Sequence, residues 1–324
     1  SDPTASEAIG TVWYNSTGDA LKYAIEGAGA WASGADLNYG RQYAGGAGTK
    51  SAAIIAGGQP RAGGVGEVDT EIYDGTSWSE VNNLNTGRNN PVGFGTTTAA
   101  IEATGASNTT GATYDLAELW DGTCWSEVSD LNQTRAYASA AVNGTTTAGL
   151  IFGGSTFPPD APGTWNESYN GTSWSVENPM LTARKNAGGA GTEAAAFIAA
   201  GNPPNPGFNL METWDGTSWS EVNNVLTARH ALGSSGTVTT GLIFGGTTDP
   251  GPVSALTEQW DGTSWAEVGD LGTARQRMAR GLGASGTSAL SAGGSVPATP
   301  TPAAYRTTEA WTEPVFTIKT VTVT

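Results

Sequence analysis

The chain is poor in cysteine, histidine and charge, and each shortage closes a route. Among 324 residues there is one cysteine, Cys124, so neither an intramolecular disulfide nor a cysteine-based metal site can form. His230 is the single histidine; it follows Arg229 and reads as an incidental polar residue. Charged residues make up 14%, and with 14 Lys and Arg against 30 Asp and Glu the formal net charge is −16. That sign opposes binding to nucleic acid or to an anionic membrane surface, since both need a basic face. No apolar run approaches the ~18 to 20 residues that cross a bilayer. Residues 1–7 do not read as a signal peptide, so action outside a cell would need a signal already removed or another route such as lysis. No cofactor is expected.

What is abundant is glycine, at 47 residues, and tryptophan, at 12, a mix that suits many short strands joined by tight turns. One phrase recurs five times, at residues 73–78, 120–125, 169–174, 214–219 and 260–265. An Asp-Gly or Asn-Gly dipeptide sits between two aromatic residues, and it tolerates the positive φ of a tight turn. Each copy predicts a β-hairpin with an aromatic residue on either arm.

The second aromatic falls at Trp31, Trp78, Trp125, Trp174, Trp219 and Trp265, in steps of 47, 47, 49, 45 and 46 residues, the length of one propeller blade. Ten residues after each comes an arginine: Arg41, Arg88, Arg135, Arg184, Arg229 and Arg275. A small-residue segment follows, then a short apolar run ending in glycine, such as Leu150–Gly154 or Leu242–Gly246, which suits a strand buried on both faces. A variable loop leads to the next hairpin. Two residues before each third-strand aromatic stands a glutamate: Glu71, Glu118, Glu167, Glu212, Glu258 and Glu309. The arginine, the Gly-Gly doublet and the aromatic turn resemble the kelch repeat, over about residues 31–318 and more narrowly in the form met in phage structural proteins. Residues 11–31, a Trp-Tyr-Asn hairpin followed by Leu-Lys-Tyr and a turn ending in Trp31, resemble a small module of phage tail and fibre proteins.

The expected architecture is all-β: a six-bladed kelch-like β-propeller over 36–324 preceded by a hairpin module over 1–35. Seven blades is the alternative, because either Trp31 or Phe316 must complete the last blade and the other terminus is then spare. Six arginines and six glutamates at constant offsets predict one ion pair per blade. A second reading places the six arginines around the funnel mouth, where in kelch proteins they often face the ligand, with Arg277 and Arg280 added by a four-residue insertion. The loops before the third strands are diverse, and recognition usually sits on such loops. Tyr114, Phe157, Trp165, Phe208 and Tyr305 are the candidates there for stacking on sugar rings. Trp78, Trp125, Trp174, Trp219 and Trp265 are expected to be structural.

The resemblance implies a non-enzymatic, virion-associated fibre or decoration protein. It would dock on other virion proteins through its N-terminal segment and bind host-surface polysaccharide, with secretion or a cell surface as the alternative location. A purely architectural propeller is the second reading. A sialidase-like glycan hydrolase is the third, although no unique acidic pair stands out. A copper oxidase of kelch-like build would need several histidines. The six Asn-x-Ser/Thr sequons, at Asn15, Asn108, Asn132, Asn143, Asn166 and Asn170, are largely compositional.

Overall fold

The computed structural model describes residues 3, 11–15, 17–18, 20–26, 29–60, 68–107, 109–202, 209–248, 251–283, 285–296, 303–304, 306–313 and 316–321. Among these there is no helix, and the strands form six blades around one axis. In blade one the inner strand Gly45–Thr49 pairs with Ala52–Ala56, which pairs with Thr70–Tyr73, which pairs with Trp78–Val81. Blades two to five repeat this antiparallel order, ending on outer strands that begin at Trp125, Trp174, Trp219 and Trp265.

Blade six is assembled from both ends of the chain. Leu290–Ala292 and Thr308–Thr312 supply its middle strands, and the outer strand is Ala30–Ser33, with Trp31 opposite Trp311. The N-terminal segment therefore closes the ring, and antiparallel pairing stands where an open edge would expose Trp311. Phe316–Thr320 turns away and joins Val12–Asn15 and Ala20–Glu26 in a separate three-stranded sheet. That use of the spare terminus leaves six blades and no seventh.

The recurrent phrase folds as a hairpin with one difference from the expected turn. In Asp74–Ser77 only Gly75 has positive φ, at 95°, and the Asp74 carboxylate accepts from the N–H groups of Thr76 and Ser77, both at 2.8 Å. The aspartate side chain thus completes a wider turn instead of occupying a left-handed conformation itself. The flanking aromatics meet across the hairpin, with ring centroids 4.9 Å apart for Tyr73 and Trp78 and 5.4 Å for Trp120 and Trp125. They are buried between blades together with the second-strand apolar residues, so the core is a set of inter-blade layers.

The outer-strand indoles also fasten neighbouring blades together. Trp125 Nε1 donates to Thr70 Oγ1, Trp78 Nε1 to Thr308 Oγ1 and Trp31 Nε1 to Thr257 Oγ1, at 3.0 to 3.1 Å. In each case the acceptor lies on the third strand of the preceding blade. Inner strands approach closely at the axis, where several positions admit only glycine. A Cβ on Gly281 would lie 2.0 Å from the Gly46 carbonyl oxygen.

Candidate functional site

The six repeated arginines do not face a ligand surface. Each is at most 1% exposed and ion-paired within its own blade: Arg41 to Glu71 at 2.6 Å, Arg135 to Glu167 at 2.8 Å, Arg229 to Glu258 at 3.0 Å, and Arg88, Arg184 and Arg275 to Glu118, Glu212 and Glu309. The glutamate also receives the incoming connector between blades; Glu71 accepts the N–H of Asn38 at 2.7 Å and Glu212 that of Leu181 at 2.7 Å. Arg41 further donates to the Asp69 carbonyl at 2.6 Å. These charges are satisfied inside the blade, as two desolvated ions require. Burial still pulls the Arg135 guanidinium down to about 10, against the opposing effect of Glu167.

Two residues further along, every blade does the same unusual thing. Tyr43, Asn90, Tyr137, Asn186, Ala231 and Arg277 all have left-handed backbones, with φ between 54° and 60°. Their peptide groups close a ring around the axis. The N–H of Asn90 donates to Tyr43, Tyr137 to Asn90, Asn186 to Tyr137, Ala231 to Asn186, Arg277 to Ala231 and Tyr43 to Arg277, at 2.8 to 3.3 Å. A left-handed non-glycine residue costs of order 1–3 kcal/mol and persists where surrounding structure over-determines it, often at a functional site. Here the ring of hydrogen bonds does so, and it brings these six positions to one level around the axis. Arg277 is accordingly not an insertion: it occupies in blade six the place of Tyr43 in blade one.

Arg280 is not an insertion either. At the same offset, five after the repeated arginine, the other blades carry Gly46, Gly93, Ala140, Gly189 and Ser234. Those small residues leave space that Arg280 fills by crossing the axis, where Nη1 donates to the Ala138 carbonyl at 3.2 Å and Nη2 to Asn186 Oδ1 at 2.7 Å. The remaining cavity at this level is about 10 Å³, no more than one water needs. Arg280 therefore bridges the propeller axis at this level, beneath the ring of left-handed residues.

Around the ring the side chains form a continuous arc. Arg277 lies over the Tyr43 ring at 4.9 Å, Tyr43 meets Tyr137 edge to face at 6.0 Å, and Tyr137 meets Phe157 at 5.8 Å. Lys185 Nζ sits 5.6 Å from the Tyr137 ring and 5.4 Å from the Phe157 ring, and it is ion-paired with Asp160. Burial pushes the Tyr43 phenol up to about 12, with Arg277 and Arg280 pulling the other way. Of the aromatic candidates, Phe157 thus belongs to the mouth. Trp165 instead lines a separate cavity of about 320 Å³ with Asn132, Thr164, Glu177 and Pro179, and Tyr114 is half-buried near Arg88. Phe208 and Tyr305 lie outside the described residues. Among the described residues no cluster of three or more His, Cys, Asp or Glu is placed to hold a metal.

Tyr43, Asn90, Tyr137, Asn186 and Ala231 are absent from the sequence-derived candidates. Their one signal in the sequence was a fixed offset of two residues from each repeated arginine.

Fold and axis together define a six-bladed β-propeller with a ring of left-handed residues around its axis. No family model matches the chain, and no curated protein matches it in sequence. Among solved structures it is similar to that titled "Structure of YjhT", with a TM-score of 0.65 and 13% identity, covering 88% of this chain and 98% of YjhT. At that identity the likeness is one of fold.

Proposed function

We propose that this chain is a non-enzymatic, kelch-like propeller that binds a saccharide at the channel mouth. The observation that carries this reading is the arc of Arg277, Tyr43, Tyr137 and Phe157 beside Asn186 and Lys185, of which Arg277, Tyr43, Tyr137 and Asn186 are fixed by the backbone ring. Aromatic faces beside a few oriented polar groups are what a ring with one apolar face and several hydroxyls requires. Binding without turnover is favoured because hydrolysis by paired carboxylates needs two acids, whereas Asp160, the acid described on this arc, is tied to Lys185 and Ser155. Glycan-array binding lost on Tyr43→Ala and Tyr137→Ala is the expected outcome; release of reducing ends from a bound glycan would replace this reading with a hydrolase.

The same proposal places the protein on a virion, docked through its N-terminal sheet. The placement rests on the resemblance of residues 11–31. The sheet presents Val12, Tyr14, Leu21 and Val321 on one face, at 64%, 59%, 46% and 38% exposure, an apolar surface suited to a protein partner. Electron microscopy of particles labelled at the chain tests the location, and absence of label from the particle surface would overturn it.

A further inference from the structure

The mouth is locally cationic on a protein of net charge −16, and the charge is uncompensated. The repeated arginines each have a glutamate, and Lys185 has Asp160. Arg277 and Arg280 have no described carboxylate within ion-pair distance. Arg280 is 8% exposed, and its two hydrogen bonds run to neutral acceptors, a backbone carbonyl and the Asn186 amide oxygen. A buried guanidinium held by neutral groups alone is unfavourable unless an anion completes it, and guanidinium pairs with carboxylate or sulfate in a planar fork. Both guanidinium groups act electrostatically on the same two phenols, Tyr43 and Tyr137, so their charges converge on one part of the ring.

Resting on the saccharide reading, we infer that the ligand is an acidic saccharide whose carboxylate or sulfate is held by Arg277 and Arg280 while a sugar face lies against Tyr43 and Tyr137. The position of Arg280 supports this independently of the arc, since five blades keep that place small and one fills it with a cation lacking an acid.

The test is calorimetric titration of the full chain with three probes: tri-galacturonate, which carries only carboxylates; a carrageenan hexasaccharide, which carries only sulfates; and neutral maltohexaose. At least one acidic probe should bind, at least tenfold weaker to Arg277→Gln, partly restored in Arg277→Lys, and progressively weaker in wild type as salt is raised. Which acidic probe binds separates carboxylate from sulfate. Arg277→Gln keeps a long polar side chain at the same left-handed position, and the salt titration needs no variant at all. Maltohexaose binding as tightly as the acidic probes, with sensitivity to Tyr43→Ala, would overturn the acidic class and leave the saccharide reading intact. Failure of all three probes to bind, or binding indifferent to both Arg277→Gln and Tyr43→Ala, would overturn the two together.

Discussion

Glu102 shows how one residue departs from its repeat. It lies on a second strand where four other blades have Ile55, Ile151, Ile198 and Ile243 and blade six has Ser291, it is 2% exposed, and Oε1 has no hydrogen-bond partner. Its carboxyl occupies the space above Gly45, where a Cβ would come within 1.5 Å of Oε1. Burial raises its pKa well above the ordinary 4.5, against the pull of Arg88, so the folded chain favours the protonated form. A raised carboxyl pKa adds stability that is complete below 4.5 and is lost as pH climbs through the folded value. Glu102→Ile should therefore stabilise the protein at pH 7 by about 1–3 kcal/mol, the usual cost of an unsatisfied buried polar group. In denaturant titrations at several pH values the gain should shrink toward pH 4.5; a gain independent of pH would show that packing and not ionisation is responsible.

The unit of stability at the element scale is the blade, held by its ion pair and by indole links to its neighbour. Removing one partner of a buried pair leaves a desolvated charge, so Arg135→Met should cost roughly 3–5 kcal/mol in chemical denaturation. Adding Glu167→Leu should recover part of that loss and not all, because Glu167 also accepts the Asn132 N–H at 2.7 Å. Trp125→Phe should cost about 1–3 kcal/mol by leaving the Thr70 hydroxyl buried and unpaired. The ion pairs were legible in the sequence because their two members repeat at fixed offsets. The connector N–H groups that share each glutamate were not, since backbone donors leave no trace in residue identity.

Closure governs the whole molecule. Blade six depends on Ala30–Ser33, so removing residues 1–33 should expose Trp311, lower the melting temperature and promote aggregation, as read by calorimetry and light scattering. Removing residues 1–28 should keep the ring, while stripping the partners of Phe316–Thr320. If both truncations melt alike, the outer strand does not control closure.

The sequence by itself determined the repeat: five hairpins, six arginines, six glutamates and the all-β class follow from period and residue type, because burial between blades imposes the same demand on every copy. Only the tertiary structure decided which terminus closes the ring and which residues meet around its axis. Trp31 and Phe316 are equivalent as aromatic strand residues, and the choice between them is made by pairing over a separation that no local pattern records. Likewise, the repeated arginines are conspicuous because they are structural. Tyr43, Asn90, Tyr137, Asn186, Ala231 and Arg277 differ from one another, and only their convergence on the axis joins them in one ring.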